Sequence, residues 1–244
     1  MAEPIAVVTG VSKGLGEALA ARLLAVGHRV VGVGRARAAR LRSPRFRLVS
    51  ADLADLDALP GVVDALFDDV ARLAPDSVTV INNAAQGGPT GTIGTLDAAE
   101  IAKALMVNLI AGVVVANSFV RAFGHLAGDR RLINVSSGAA VRPIPGAGVY
   151  NVAKAGLEML ATTMAVEAGR LGITAVTIRP GIIDTPMQAE MRSQDPLRLP
   201  SVAMFRDFHA SGQLVPPDVT AARIVDRLVM APVDNGRIYS YAEL

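Results

Sequence analysis

Near the N-terminus a short pattern leaves few folds open to this chain. The run IAVVTG, Ile5 to Gly10, is apolar, with Val7, Val8 and Thr9 β-branched. Such a run reads as a strand buried on both faces, as in a parallel sheet. It passes at once into TGVSKGLG, with Gly10, Gly14 and Gly16, and then into EALAARLLAVG, which has helical periodicity and stops at Gly27. Glycines allow a tight turn and a close approach of backbone to phosphate, while a helix N-terminus offers N–H donors and the positive end of its dipole. Strand, glycine-rich turn and helix, in that order, is the context a dinucleotide-binding loop requires. The glycine spacing differs from the commoner G-x-G-x-x-G, so an ordinary strand-to-helix turn stays open at this point.

The rest of the chain continues the alternation. Apolar runs predict strands near residues 5–9, 29–34, 46–50, 78–81, 131–136, 173–178 and 237–241, and helices near 15–26, 55–73, 97–126, 150–171 and 217–230. Alternation implies a parallel sheet with right-handed crossovers. The expected architecture is one α/β domain over residues 1–244: a Rossmann-like doubly wound sheet of seven strands, order 3-2-1-4-5-6-7, with helices on both faces. Only eleven residues separate Gly34 from Phe46, so the crossover helix there is short or absent. Residues 184–216 carry Pro186, Pro196, Pro200 and Pro216 and read as an irregular substrate lid.

Composition removes several function classes. Hydrophobic residues make up 51% of the chain and the formal charge is +2, which argues against disorder and against a strongly basic nucleic-acid binder. With no cysteine, disulfides and thiolate metal sites are impossible, and a reducing cytoplasm is the expected compartment. The first strand begins too early for a signal peptide. The stretch LIAGVVVA falls short of the roughly 20 residues a spanning helix needs, so no membrane role is expected. His28, His125 and His209 are scattered, and no metal is expected. His28 and His125 are expected at the surface, and His209 in the lid, where it could reach substrate.

Chemistry enters with YNVAKAGLEML, where Tyr150 and Lys154 stand about one helical turn apart and share a face. An ammonium beside a phenol favours the phenolate, lowering a reference pKa of roughly 10 toward working pH. The phenol could then exchange a proton near neutrality. Ser137, thirteen residues earlier in LINVSSGAA, could hold a carbonyl oxygen. Spacing alone would equally fit a pair on a helix surface.

Taken together, these segments resemble the short-chain dehydrogenase/reductase family. TGVSKGLG is similar to its T-G-x-x-x-G-x-G loop, INNAA to its N-N-A-G segment with Ala85 in place of glycine, and MVNL places Asn108 at its helix asparagine. NVSSGAA, YNVAK and RPGIIDTPM resemble its serine segment, its tyrosine–lysine segment and its nicotinamide loop. The stretches SSGAAVRPIPG, GIIDTPMQAEMR and FHASGQLVPPDVTA are most similar to the branch of sepiapterin reductases and bacterial benzil reductases. That branch's pterin-anchoring aspartate near the C-terminus has no obvious counterpart in GRIYSYAEL, which favours a general ketone or dicarbonyl substrate.

The resemblance implies hydride transfer from reduced nicotinamide, with Tyr150 as general acid/base and Lys154 lowering its pKa and holding the nicotinamide ribose. It further implies that Ser137 polarises the carbonyl and that Asn108 holds a water of the proton relay. Gly10, Ser12, Lys13, Gly14, Leu15 and Gly16 would cradle the phosphates. Asp52 and Leu53 would meet the adenine, Asn83, Ala84 and Ala85 the adenosine ribose, and Pro180, Gly181, Ile183 and Thr185 the nicotinamide. An N-cap is the structural alternative for Asp52. Strand HRVVGVGR ends without a carboxylate, and Arg35 and Lys13 could bind a 2′-phosphate, so NADP(H) is expected over NAD(H). Arg37, Arg40, Arg42, Arg45 and Arg47 follow, so a merely solvated basic run is the competing reading. Val141, Pro143, Ile144, Pro145, Met187, Met191, Met204 and Phe205 could line an apolar substrate pocket. Wide apolar helix faces suggest a homodimer or homotetramer. A non-catalytic NADP-binding sensor is the alternative from another class, and the intact Ser137, Tyr150 and Lys154 set weighs against it.

Overall fold

The computed structural model describes residues 3–244. Seven strands form one sheet of order β3-β2-β1-β4-β5-β6-β7, with every neighbouring pair parallel. They are β1 (Ile5–Thr9), β2 (Arg29–Gly34), β3 (Phe46–Ser50), β4 (Ser77–Asn82), β5 (Asp129–Val135), β6 (Ile173–Arg179) and β7 (Ile238–Ser240). The helices are α1 (Gly14–Ala25), α2 (Leu59–Arg72), α3 (Ala98–Leu105), α4 (Ala111–Phe123), α5 (Gly148–Glu167), α6 (Pro186–Arg192), α7 (Val202–Ala210) and α8 (Pro217–Ile224). No helix joins β2 to β3, as the short interval requires.

The apolar strands serve both faces because successive side chains point in opposite directions. Ile5 and Val7 join Val31, Val78, Val80 and Leu132 in the core under α2, α4 and α5. Ala6 and Val8 join Val30, Ile81, Ile133 and Val176 under α1 and α8. The first core closes on Phe67, Phe119 and Phe123, whose ring centroids lie 5.4 to 5.9 Å apart.

Three expectations change. The helix predicted over 97–126 is interrupted by a π-helical turn at Met106–Ile110. The continuous helical run Ala98–Phe123 is long and apolar enough to cross a membrane by length and composition, which LIAGVVVA alone did not suggest. Its inward side chains, including Val115, Phe119 and Phe123, belong to the core against the sheet. The segment 184–216 is not irregular but contains α6 and α7. Pro186 occupies the first turn of α6, behind the cap Thr185, where a missing N–H costs nothing. His28 is not a surface residue: it is buried, its Nδ1 has no partner among the described residues, and burial lowers its pKa. His125 and His209 are exposed.

Candidate active site

The predicted site residues converge at the C-terminal ends of β1 to β6, the edge where doubly wound sheets bind ligands. The first part is a backbone cradle. Gly10 has φ +76°, and a Cβ there would stand 2.8 Å from the Ala84 Cα. A Cβ on Gly16 would run into the Gly10 carbonyl and the Asn83 amide. Asn83 Nδ2 donates to the Thr9 carbonyl at 3.0 Å, and the Thr9 hydroxyl accepts from the N–H groups of Asn83 and Ala84 at 3.0 Å each. The turn after β1 is thereby sewn to the end of β4. Lys13 precedes α1 without capping it through its side chain, so the first N–H groups of α1 keep their donors for an anion. This cradle, with room only for hydrogen at Gly10 and Gly16, fits a dinucleotide pyrophosphate.

The basic run after β2 resolves into two groups. Arg40 pairs with Glu17 and Asp218, Arg45 approaches Glu3 and Arg47 pairs with Asp69. Arg42 donates to the Ala39 carbonyl. Among the described residues, Arg35 and Arg37 form no ion pair, and Arg35 and Lys13 are exposed beside the cradle. Asp52 accepts from the Ala54 N–H at 3.0 Å in a local turn, and α2 begins only at Leu59, so Asp52 is not that helix's cap. Leu53 is buried next to it.

The second part is polar and sits between β5 and α5. Tyr150 is partly buried and packs on the small cluster of Ala147, Met191, Leu199 and Val202, as do Ile144 and Phe205. Its phenol is pushed up to about 12 by burial, with the Ser137 hydroxyl bonded to it pulling the other way. The expected depression by Lys154 is not what this site shows. The Lys154 ammonium, itself brought down to about 8 by burial, donates to the Val135 carbonyl at 2.7 Å and lies 5.5 Å from the Tyr150 ring centre. Burial is the largest influence on both groups. At neutral pH the phenol is therefore an acid with its proton in place. Ser137 stands in extended conformation after β5 and accepts from the Ala139 N–H at 3.2 Å. Asn151, next to Tyr150, donates to the carbonyls of Ala139 and Arg142, pinning the Ser137 turn to α5. Ser136 is structural: it is buried and its hydroxyl donates to Glu158 Oε1 at 2.8 Å.

Asn108 lies in the π-helical turn, a place where helices often carry function. Its amide exchanges two hydrogen bonds with the backbone of Gln86, 2.8 and 2.9 Å long. Asn108 thus holds the segment that follows Ala85, and one amide hydrogen and one lone pair are left for a water.

The third part is the turn after β6 and the segment that follows it, expected from the sequence to be nicotinamide loop and lid. Pro180 is buried, and Gly181, at φ +78°, lies against Tyr241 of the C-terminal segment. Ile183 and Val215 pair, so the lid leaves and returns at one point. Thr185 caps α6 through its hydroxyl, while a Cβ on Gly14 would come within 3.3 Å of its methyl. Of the proposed pocket residues, Ile144, Met191 and Phe205 cluster with Tyr150, and Met187 flanks Gly87, whereas Val141 is exposed. Two tethers went unread in the sequence, Thr90 to Gln194 at 2.9 Å and Ser201 to the Pro145 carbonyl at 2.8 Å. Also unread was the ion pair of Glu158 and Arg179.

The family model for short chain dehydrogenases matches residues 4–196. The chain belongs to the short-chain dehydrogenase family. It is an oxidoreductase of the class acting on carbonyl and alcohol groups. It is 30% identical over 239 residues to benzil reductase ((S)-benzoin forming) of Bacillus subtilis, covering 97% of this chain and 98% of that one. It is 29% identical over 251 residues to sepiapterin reductase of Meriones unguiculatus, covering 95% and 94%. Among solved structures, the KRED1-Pglu enzyme superposes with TM-score 0.84 at 28% identity, covering 96% of this chain and 99% of the other.

Proposed function

We propose that the chain, acting as one domain, is an NADPH-dependent reductase of apolar ketones and dicarbonyls, with benzil as the first substrate to assay. The observation that carries this is the placing of Tyr150, Lys154 and Ser137 together at the sheet edge, the Lys154 ammonium 5.5 Å from the Tyr150 ring centre and the Ser137 turn pinned to α5 by Asn151, beside a glycine cradle flanked by Lys13 and Arg35. Bound NADPH would supply the hydride. Tyr150 donates its proton to the developing alkoxide, and Ser137 donates a hydrogen bond to the same oxygen. Lys154 places a positive charge beneath the phenol and gains the ribose as a partner in addition to the Val135 carbonyl. Arg35 and Lys13 recognise the 2′-phosphate, and their freedom from ion pairs supports that choice over a general basic patch. The apolar wall of Ile144, Met191 and Phe205 supports an aromatic or aliphatic substrate. A pterin is disfavoured because the one side-chain carboxylate of GRIYSYAEL, Glu243, is taken by Ser240 and Arg237.

NADPH consumption with benzil, other diketones, sepiapterin and simple ketones tests the reading. Tyr150→Phe is expected to lower kcat by roughly 10²–10⁴-fold. NADPH binding without turnover of any carbonyl, or a Phe variant as active as its parent, would overturn it. Because Lys154 loses its proton above about 8, kcat/KM for reduction should fall above that pH.

A homo-oligomer working in the cytoplasm completes the proposal. Val152, Met159 and Val166 lie seven residues apart on α5 and are 61%, 66% and 81% exposed, an apolar stripe along one face. Met159→Glu should lower the mass measured by light scattering. The absence of cysteine supports the compartment.

A further inference from the structure

Glu158 is a carboxylate buried to 7% exposure on the same helix as Tyr150 and Lys154. Its two oxygens accept three hydrogen bonds from two residues. Oε1 accepts from Ser136 Oγ at 2.8 Å and from Arg179 Nε at 2.7 Å, and Oε2 accepts from the second Arg179 nitrogen at 2.7 Å. Ser136 Oγ also lies 3.3 Å from the Lys154 carbonyl, and the Ser136 N–H donates to the Ile178 carbonyl at 2.8 Å.

Burying an ion pair is a poor route to stability, because desolvating the two charges offsets most of their attraction. Its placement is more informative. Ser136 immediately precedes Ser137, Glu158 stands one turn beyond Lys154, and Arg179 immediately precedes Pro180 and Gly181. Ser136, Glu158 and Arg179 therefore join the ends of β5 and β6 to α5. Ser136 and Arg179 are direct chain neighbours of residues placed at the reacting centre and Glu158 lies one helical turn beyond another, yet none of the three reaches that centre itself. A forked guanidinium–carboxylate contact fixes orientation as well as distance, which a point charge would not do.

We propose that Glu158, through Arg179 and Ser136, is a positioning residue. It holds the serine hydroxyl, the lysine-bearing helix turn and the Pro180–Gly181 turn in one register, so that a nicotinamide docks in reach of Tyr150. This rests on the reading of Tyr150, Ser137 and Lys154 as the catalytic set.

The test compares two ligands on the full chain, NADPH and 2′-phospho-ADP-ribose, which lacks the nicotinamide. Arg179→Ala, Arg179→Lys and Glu158→Gln are titrated with both by fluorescence and by calorimetry. Benzil kinetics and thermal unfolding are measured alongside, and Glu158→Gln and Arg179→Lys keep the volume of the site if Arg179→Ala fails to fold. Expected is a loss of NADPH affinity with 2′-phospho-ADP-ribose affinity unchanged. The same variants should lose roughly ten- to hundredfold in kcat, with KM for benzil moving much less. Arg179→Lys should recover part of the loss, and the Glu158→Gln/Arg179→Lys pair should do no worse than the more damaged single variant. A lower melting temperature with both affinities and kcat unchanged would make the triad structural only and overturn the proposal. Equal losses for both ligands would also overturn it. Tyr150→Phe separates the two readings. It should lower kcat by roughly 10²–10⁴-fold and leave both affinities intact, and if kcat does not fall, the catalytic assignment fails while the ligand pair still reports on Glu158.

Discussion

The glycine turn after β1 and the lid between Ile183 and Val215 face each other across the same crevice, yet they are built differently. In the turn, backbone meets backbone: a side chain on Gly16 would strike the Gly10 carbonyl, and one on Gly10 would strike the Ala84 Cα. In the lid, backbone meets flexible side chains: a Cβ on Gly87 would meet the tip of Met191 and the stem of Met187. A carbonyl in a turn cannot move without breaking the turn, whereas a thioether end swings to another rotamer at little cost. The first region is made to hold one shape and the second to adapt. The phosphate-bearing part of a ligand is therefore specified tightly and the carbonyl-bearing part loosely.

Substitutions can break that contrast. Gly16→Ala should do the most damage, because overpacking a rigid site costs about 1–3 kcal/mol, so NADPH affinity falls by about tenfold or more. Near-normal nucleotide titration in this variant would show the turn to be softer than its contacts imply. Next in size is Arg35→Asp with Lys13→Ala, which should shift the ratio of kcat/KM from NADPH toward NADH by roughly tenfold or more, as expected when charge-assisted bonds to a phosphate are lost. Unchanged kinetics with both cofactors would refute the assignment of these side chains. Gly87→Ala should do least, altering KM for benzil by about threefold or less while NADPH affinity stays put, since the methionine tip can move. A collapse of activity there would mean the lid is as rigid as the turn.

The same contrast governs what could be read from the chain. Strands β1 to β3 were legible to the residue: β1 and β2 are buried along nearly all their length and so apolar, with ends marked by glycine and polar residues, whereas β3 is a partly exposed edge strand that mixes Arg47 and Ser50 with apolar residues. Tyr150, Lys154, Ser137 and the glycines were legible because their local spacing suffices to place them on shared elements. The helices α6 and α7 were not, since four prolines look like breakers until Pro186 is seen to sit behind its cap. His28 was misplaced because nothing local tells a buried imidazole at a strand entrance from an exposed one. The raised phenol pKa of Tyr150 was also illegible. It depends on how deeply a tertiary fold wraps the ring, a quantity that spacing does not carry. Glu158 and Arg179 are twenty-one residues apart on different elements, and only the packing of α5 on β6 brings them together. The arginine beside the Pro180–Gly181 pair was the one available hint.

Thr185 belongs to both regions at once. Its methyl lies against the turn at Gly14 and its hydroxyl starts the helix that carries Met187 and Met191. Anything that seats itself on the turn also sets the angle at which that helix leaves the sheet. One small side chain thus borders both the stiff turn and the start of the adaptable wall, so neither can shift there without meeting the other.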